Sequence, residues 1–191
     1  MSEAASLLAL SGVACVRGGR LLFEGLDLLL NPGEAALVTG PNGSGKSSLL
    51  RLAAGLLRGA AGSVSRAPGA VGFADEKAAL DQRRTLASAL GFWARIDGVD
   101  HSPAMAAMGI AHLADIPVRM LSTGQRKRAA LARVIAGGAP LWLLDEPANG
   151  LDPDGLELLA AAMAAHRGRG GAILAATHVP IGLDGAKAVA L

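Results

Sequence analysis

One short stretch limits the possible folds of this chain more than any other feature of its sequence. Residues 40–47 read Gly-Pro-Asn-Gly-Ser-Gly-Lys-Ser, which matches the pattern of a glycine-rich loop that binds phosphate. Glycine is needed there because backbone N–H groups must close around phosphate oxygens with no Cβ in the way. An apolar stretch at 34–39 precedes the loop and an amphipathic pattern at 46–57 follows it. The sequence therefore predicts a strand–loop–helix unit whose helix N-terminus faces an anion.

Two side chains at the end of the loop carry the expected chemistry. The Lys46 ammonium places positive charge on the β- and γ-phosphates of a nucleotide, and the Ser47 hydroxyl is a ligand for Mg²⁺. A chance glycine-rich turn is the alternative, and the flanking strand and helix patterns argue against it. The expected nucleotide-binding residues of the loop are Gly40, Pro41, Asn42, Gly43, Ser44, Gly45, Lys46, Ser47 and Ser48.

The composition limits the class of protein. With 191 residues the chain suits one domain with a sizeable core. It is 51% hydrophobic and only 18% charged, and no stretch approaches the roughly 20 apolar residues of a membrane helix, so we expect an apolar surface patch for a protein partner. A net charge of +2 is too small to indicate nucleic-acid binding. The single cysteine, Cys15, excludes an internal disulfide and fits a reducing cytoplasm.

Residues 7–15 look like a short signal peptide that ends at a lipid-modified Cys15. A signal peptide needs a positively charged start, and residues 1–5 carry no positive side chain. We therefore expect a buried β-strand here, with Cys15 in or near the core, and no targeting sequence.

The rest of the pattern alternates strands and helices, as in an α/β fold. A helical pattern covers 78–136, with breaks near 97–98, at Pro103 and at Pro117. The other predicted elements are an antiparallel pair of strands near 6–16 and 25–30, a turn-rich stretch at 59–69, strands at 70–73, 141–144 and 172–176, a helix at 153–167 and a last apolar run at 186–191.

A second motif is an apolar strand that ends in two carboxylates. Residues 141–144 predict a central strand, and Asp145 and Glu146 follow at its C-terminal end, where α/β sheets hold ligands. Asp145 is expected to hold Mg²⁺ through water, and Glu146 to polarise the attacking water as general base. An apolar run that ends in Asp-Glu is weak evidence for a nucleotide site by itself, but together with the phosphate-binding loop upstream it is strong evidence.

The third motif is Leu-Ser-Thr-Gly-Gln at 121–125, followed by a basic helical segment. A serine at a helix start with a glycine nearby forms an anion site, although an ordinary capped helix has the same pattern, and the basic side chains at 126–128 are expected to be mostly solvated. The motif resembles the Leu-Ser-Gly-Gly-Gln signature of the ABC-type ATPases, whose order of motifs matches along the whole chain. The signature residues here are Leu121, Ser122, Thr123, Gly124 and Gln125.

The resemblance implies a fold and two further site residues. The fold is an α/β P-loop NTPase of the ABC ATPase type, with a RecA-like core, a small antiparallel β layer and a helical subdomain at about 78–130, in one domain over 1–191. Asp152 lies in a segment similar to the family's D-loop. His178 stands at the switch-histidine position, where a catalytic role is expected, although a lone histidine after a strand is more often structural.

The family shares each active site between two subunits. The phosphate-binding loop of one subunit faces the signature, here Ser122 and Gly124, of the other, with ATP between them. One loop and one signature in the chain therefore imply an ATP-dependent dimer whose isolated subunits hydrolyse ATP poorly.

Two positions depart from the family pattern. Adenine usually stacks on an aromatic residue upstream of the loop, where this chain has Arg17 and no tyrosine anywhere. A guanidinium plane can stack on a base, so Arg17 is expected to bind ATP with weaker base selectivity. Glu76 replaces the usual glutamine that contacts Mg²⁺, a task that a carboxylate can also perform.

Finer features resemble the ATP-binding subunits of the cytochrome c maturation system, historically called the haem exporter. They are Phe92-Trp93 and residues 117–119, 141–147 and 177–181. The resemblance implies a translocase ATPase on the cytoplasmic face of the bacterial inner membrane, paired with an integral-membrane permease subunit and a haem-handling membrane protein. ATP hydrolysis would drive release of a haem-loaded chaperone, and nothing in this chain itself has haem-attachment spacing.

Three alternatives stay open. They are an ABC transporter ATPase for another substrate, a soluble ABC protein that acts on ribosomes or DNA, and a regulator that binds ATP without hydrolysing it. Residues 74–100 are expected to carry the docked partner, with Phe92 and Trp93 either in the docking surface or in the core.

Overall fold

The structure, a computed structural model, describes residues 6–69, 71–75 and 79–191. Strands and helices alternate along much of the chain. The strands are β1 (Leu8–Arg17), β2 (Arg20–Leu30), β3 (Ala35–Thr39), β4 (Ala61–Arg66), β5 (Val71–Ala74), β6 (Leu141–Asp145), β7 (Ala172–Ala176) and β8 (Lys187–Ala190). The helices are α1 (Lys46–Ala53), α2 (Leu86–Asp97), α3 (Ser102–Ala107), α4 (Thr123–Ala136) and α5 (Pro153–Gly168), with short 3-10 helices at Ala111–Leu113 and Val118–Met120.

A five-stranded parallel sheet with the strand order β5–β6–β7–β3–β8 forms the centre of the fold. Every residue of β6 and β7 is buried, because both faces of these strands are covered. Continuous apolar strands are typical of such doubly covered parallel sheets. The predicted α/β fold is therefore confirmed, and so are the strands predicted at 141–144 and 172–176.

The smaller sheet is antiparallel, with the order β2–β1–β4. β1 and β2 form a hairpin that closes at the pair Arg17–Arg20. The predicted antiparallel pair is therefore confirmed, although β2 begins well before the apolar run at 25–30. Cys15 lies buried in β1, as the strand prediction for this region requires.

The prediction of a turn-rich stretch at 59–69 is wrong, because β4 pairs with β1 there. β4 is an edge strand whose residues are exposed except for the half-buried Val64. No alternation of apolar and polar residues marks it in the sequence, so only its pairing with β1 defines it.

The predicted helical region at 78–136 contains three helices. α2 ends before Gly98, which takes a left-handed conformation at the predicted break. Pro103 lies in the first turn of α3, where its fixed φ suits a helix start, so it begins a helix instead of breaking one. The predicted helix at 46–57 ends earlier, at Ala53. None of the helices that the structure describes has both the length and the apolar content needed to cross a bilayer.

Two apolar cores lie on opposite faces of the central sheet, and β6 contributes to both. Trp142 and Leu144 pack in the core that includes residues of α2 to α5, whereas Leu141 and Leu143 pack in the core that includes α1 and the antiparallel sheet. Alternate side chains of one strand thus fasten it to both layers. The carboxyl end of β6 and the start of α1 are held in place by this packing.

A stacked pair of rings joins α5 to the sheet. The rings of His166 and Trp142 are parallel within 9°, with centroids 3.9 Å apart. Nε2 of His166 lies 3.3 Å from the carbonyl oxygen of Ala172. Burial lowers the pKa of His166, so the folded chain favours the neutral ring.

We expect the free energy of unfolding to fall as the pH drops below 6.5, the ordinary pKa of histidine. Because the pKa of His166 is lowered in the folded chain, the unfolded chain binds more protons in this range. The stabilisation by the neutral ring is complete above pH 6.5 and declines toward the folded pKa, with a slope of at most about 1.4 kcal/mol per pH unit for one proton. Urea unfolding at several pH values measures this slope. His166→Phe keeps a stacked ring and should reduce it, and an unchanged slope would assign the pH dependence to other groups.

Candidate functional site

The loop between β3 and α1 and the carboxyl end of β6 border one cleft of about 380 Å³. Parallel strands end at the same edge of a sheet, so the two motifs predicted from distant parts of the sequence meet there. The cleft is lined by Arg17, Leu22, Asn42, Gly43, Gly45, Lys46, Ser47, Ser48, Asp145 and Glu146.

Gly45 leads from the loop into α1 with a φ of 113°. A Cβ at this position would lie 3.0 Å from the ring of Phe23, which supports the loop from β2. A larger residue would be strained in its backbone and would collide with that ring. No side chain among the described residues caps the start of α1. Its first N–H groups are therefore free to bind an anion in the cleft.

Lys46 lies inside the loop and is only 8% exposed. Its Nζ donates hydrogen bonds to the carbonyl oxygens of Gly40, at 2.8 Å, and of Pro41, at 3.1 Å. The buried Ser44 Oγ has no hydrogen-bond partner among the described residues. Lys46 also lines the cleft, so the loop offers it a cation suited to phosphate oxygens, whereas Ser44 does not line the cleft.

Asp145 ends β6 as a buried carboxyl group, 5% exposed. Burial raises the pKa of Asp145, and a hydrogen bond from the Ser47 side chain acts in the opposite direction. Nζ of Lys127 donates to the backbone oxygen of Asp145 at 3.3 Å and so helps to hold the end of the strand.

The pair Ser47 and Asp145 fits a magnesium ion. A hydroxyl and a carboxylate are oxygen ligands of the kind that Mg²⁺ uses together with phosphate oxygens and waters. A dication here would also offset the burial that disfavours the ionised Asp145. Within the described residues, no cluster of three or more His, Cys, Asp or Glu side chains forms a metal cage. The predicted third ligand, Glu76, lies outside the described residues.

Glu146 follows Asp145 in an unusual backbone conformation. Its φ of 45° is the only positive φ among the described residues other than glycine. The Glu146 N–H donates to the carbonyl oxygen of Ala176 at 2.8 Å, which holds this conformation against its cost. The turn directs the carboxylate into the cleft beside the phosphate-binding loop.

His178 lies next to Glu146, with 3.0 Å between Nδ1 and the carboxylate Oε2. The contact lacks hydrogen-bond geometry, so the buried Oε2 has no hydrogen-bond donor among the described residues. The Glu146 side chain also lines the cleft, and a carboxylate there can accept a proton from water. The predicted catalytic pair, Glu146 and His178, is therefore brought together at the edge of the cleft, although His178 itself does not line it.

The signature motif begins α4 with a complete capping box. The Ser122 side chain accepts from the backbone N–H of Gln125 at 3.2 Å, and the Gln125 side chain accepts from the backbone N–H of Ser122 at 2.9 Å. Leu121 is buried beneath this turn. The cap fixes the start of α4 and so holds Ser122 and Gln125, the polar side chains that form it, in a defined position.

Three signature residues, Ser122, Gly124 and Gln125, line a second cavity of about 260 Å³, which shares no lining residue with the nucleotide cleft. A Cβ on Gly124 would lie 2.6 Å from the carbonyl oxygen of Gly150, so the signature and the segment before α5 touch at backbone distance. Thr123 packs against Gly150 as well. Signature and phosphate-binding loop of one chain are therefore separate surfaces.

An ion pair joins the two sides of this cavity. Arg128 of α4 binds the carboxylate of Asp152, which also caps α5 by accepting from the backbone N–H of Gly155 at 3.1 Å. The hydrogen bond from Arg128 holds the pKa of Asp152 below its usual range. The expectation that the basic side chains at 126–128 are mostly solvated is thus wrong for Arg128 and for the buried Lys127.

The helical period offers a signal for this correction. Residues three and four after Gly124 return to its face of the helix, so Lys127 and Arg128 point back toward β6 and the segment before α5.

Phe23 is a third supporting residue that the motifs did not indicate, since the hairpin that carries it lies far from the loop in sequence.

Comparisons with known proteins agree with this geometry. A family model described as ABC transporter matches residues 23–149. The chain is 60% identical over 180 residues to the cytochrome c biogenesis ATP-binding export protein CcmA of Sphingopyxis alaskensis, with 93% of this chain and 92% of the relative covered. It is 51% identical over 184 residues to the protein of the same name from Novosphingobium aromaticivorans, with 96% and 95% covered.

A solved structure described as the ATP-binding subunit of an ABC transporter superimposes with a TM-score of 0.82. The superposition covers 91% of this chain and 80% of the other at 21% identity, so it shows the shared fold alone. The family model and the two close relatives go further, because they cover the motifs and most of the chain. The chain belongs to the ABC transporter ATPases and, within them, to the CcmA family of cytochrome c biogenesis ATP-binding export proteins.

Proposed function

We propose that this chain is the ATP-hydrolysing subunit of an ABC-type exporter complex that serves c-type cytochrome biogenesis. The observation that carries hydrolysis is the Glu146 carboxylate, which lines the cleft of the phosphate-binding loop and lies beside His178. The role in cytochrome c biogenesis rests on the relatives named CcmA, which are 60% and 51% identical over nearly the whole chain.

The mechanism follows from the placement of the side chains. The phosphates of ATP bind in the 40–48 loop, where Lys46 and the first N–H groups of α1 offset their charge. Glu146 takes a proton from water while the water oxygen attacks the γ-phosphorus and the bond to the β–γ bridging oxygen breaks. His178 orients the carboxylate. Mg²⁺, held by Ser47 and Asp145, would supply further positive charge to the phosphates.

Glu146→Gln should lower the rate of ATP hydrolysis by about 10²- to 10⁴-fold, the usual contribution of a general base. ATP binding should persist, because the amide keeps the size of the side chain and removes only its capacity to take a proton. Phosphate release gives the rate, and isothermal titration calorimetry gives the affinity.

The matched control is Glu157→Gln, which alters an exposed carboxylate on α5 away from the cleft. Its rate should equal that of the unmodified chain. Full hydrolysis by the Glu146→Gln variant would remove Glu146 from the mechanism and the hydrolytic function with it.

The separate cleft and signature cavity support a shared site in an ATP-dependent dimer. Ser122, Gly124 and Gln125 line the signature cavity and do not line the phosphate-binding cleft of their own chain. In a symmetric dimer, each signature can face the loop of the other subunit, giving two composite sites. The Arg128–Asp152 pair would then carry movement at the signature to α5 of the same subunit.

Mixing two inactive variants tests this arrangement. Lys46→Ala damages the loop and Ser122→Arg damages the signature, so each homodimer has two defective sites. A mixed dimer has one site with both halves intact, and an equal mixture should recover about a quarter of the unmodified rate if the sites act independently. Phosphate release from the mixture measures the recovery. No recovery, with both variants folded by circular dichroism, would place the whole site within one chain.

A groove beside the parallel sheet supports docking of a membrane partner. Two cavities of about 320 and 150 Å³ adjoin along β5 and share Phe73 and Arg133. Nearby, α2 exposes Phe92 and Ile96 at positions i and i+4 of one face, and the exposed Val99 follows just after the end of the helix. An exposed stripe of this kind is typical of a protein interface.

The two aromatic residues of α2 have different roles. Phe92 is 44% exposed and belongs to the stripe. Trp93 packs inward, since its Nε1 donates to the carbonyl oxygen of Ala79 at 2.8 Å and the Arg133 guanidinium lies 3.7 Å from its ring centroid. The proposed partner on this surface is an integral-membrane permease subunit, accompanied by a haem-handling membrane protein, with the chain peripheral on the cytoplasmic face of the inner membrane.

Purification with ATP from detergent-solubilised membranes tests the partner. The tagged Glu146→Gln variant should retain a membrane subunit and a haem-bearing companion, detected by mass spectrometry and by Soret absorbance. The variant that also carries Ile96→Asp should lose both while it still binds ATP. A membrane protein without haem would favour export of another substrate, and ribosomes or no partner would overturn the transporter assignment.

A further inference from the structure

The peptide group between Asp145 and Glu146 is held at both of its polar ends. On one side, the Glu146 N–H donates to the carbonyl oxygen of Ala176 in β7, at 2.8 Å. On the other side, the Asp145 carbonyl oxygen accepts a hydrogen bond from Nζ of Lys127, at 3.3 Å. Because a peptide group is planar, bonds to its two opposite ends fix its rotation. This rotation sets the ψ of Asp145 and the φ of Glu146 together.

Lys127 reaches this peptide from another part of the fold. It lies near the start of α4 and is only 9% exposed. A buried ammonium loses its hydration, and hydrogen bonds or opposite charges must offset that cost. A hydrogen bond from a cation is roughly twice as strong as one between neutral groups, so the bond to Asp145 offsets part of the cost and restrains the carbonyl group firmly.

The φ of Glu146 makes this restraint important for the site. At 45° it lies in the left-handed region, which a residue other than glycine keeps only where its surroundings impose it. With the N–H bond alone, the peptide can tilt about that bond and Glu146 can relax toward a negative φ. The carboxylate would then leave its place beside His178, where Oε2 lies 3.0 Å from Nδ1.

We propose that Lys127 is a positioning residue, which keeps the Glu146 carboxylate in the nucleotide cleft of its own chain by holding the Asp145–Glu146 peptide. This inference rests on the proposed function, because it concerns the base of the same hydrolytic site. Lys127 does not line the cleft, so it acts without touching the nucleotide. It follows the signature Gly124 by three residues, so the helix that begins at the signature also holds the base.

Lys127→Met keeps most of the length of the side chain and removes the ammonium. It should lower the kcat of ATP hydrolysis by about ten- to a hundredfold, the effect of a small misplacement of a reacting group. The affinity for ATP should stay within about twofold, because the phosphate-binding loop keeps its contacts. Phosphate release gives kcat, and calorimetry on chains that also carry Glu146→Gln gives the affinity without turnover. An unchanged kcat, or a loss of affinity as large as the loss of kcat, would overturn the proposal.

Combination with Glu146→Gln separates positioning from a general loss of structure. If Lys127 acts through Glu146, adding Lys127→Met to the Glu146→Gln chain should lower the remaining rate by less than about twofold, because the proton acceptor is already gone. The full reduction in both backgrounds would contradict the proposal. Leu131→Val is the matched control on α4, since Leu131 is 2% exposed in the apolar core. It should lower Tm and leave kcat near that of the unmodified chain.

Mixed dimers show in which chain Lys127 acts. In the mixture of Lys46→Ala and Ser122→Arg chains, the intact site combines the cleft of the Ser122→Arg chain with the signature of the Lys46→Ala chain. Lys127→Met added to the Ser122→Arg chain should remove the recovered activity, and the same change in the Lys46→Ala chain should leave it. The reverse pattern, or equal losses in both mixtures, would refute positioning within one chain.

Failure of the proposed function gives different results. If the unmodified chain does not hydrolyse ATP, the hydrolytic function itself is contradicted. Hydrolysis that depends on Glu146 but not on Lys127 would contradict only the role of Lys127. If the parent mixture recovers no activity, the shared site is contradicted, and the comparison of Lys127→Met with and without Glu146→Gln still decides whether Lys127 positions the base.

Discussion

The conformation of one residue, Glu146, depends on the pairing of two buried strands, and the candidate site depends on that residue in turn. A left-handed backbone at a residue other than glycine costs about 1–3 kcal/mol and persists only where the surroundings impose it. Here the hydrogen bond from Glu146 N–H to Ala176 O continues the parallel β6–β7 ladder by one step past Asp145. The ladder therefore turns the carboxylate out of the sheet and into the cleft. Because β6 packs on both cores, the direction of this carboxylate is set by most of the molecule.

Sequence patterns predicted the parts of this structure that local chemistry determines. The loop at 40–47 and the carboxylates at 145–146 have residue requirements that only a few spacings satisfy, and the apolar strands around them are long enough to recognise. β4 was not predicted because its residues are mostly exposed, so its sequence shows no pattern of a buried strand. It forms a strand through its pairing with β1, which lies far away in sequence. The burial of Lys127 and Arg128 was also missed. The helical period places both residues on the face of Gly124, but what they contact depends on the position of α4 against β6 and α5. Sequence patterns could not predict these contacts, because each joins residues that are far apart in the sequence.

The two halves of the site are built differently, and this difference suits a composite site. At the nucleotide cleft, Phe23 supports the loop and both cores hold β6. The signature cavity lies between α4 and the start of α5, which touch through Gly124, Gly150 and the Arg128–Asp152 pair. At Gly124 and Gly150 the two segments approach at backbone distance, and the ion pair beside them is a second connection. α4 and the start of α5 are thus joined at the signature, and α5 packs through His166 on the sheet that carries the carboxylates.

In the proposed function, the two ends of the nucleotide contribute unequally to its binding energy. At the phosphate end, a buried ammonium and a helix N-terminus would act at low exposure, where electrostatic contacts are strong, and the buried carboxylate of Asp145 would contribute by holding Mg²⁺. At the base end, a solvated guanidinium and one leucine act at the surface, where each contact contributes little. Affinity must then come chiefly from the triphosphate, and the loss of the γ-phosphate on hydrolysis removes a large share of it. Strong base recognition would hold the diphosphate in place after hydrolysis. A weakly held base instead makes the number of phosphates the main determinant of whether the nucleotide stays bound.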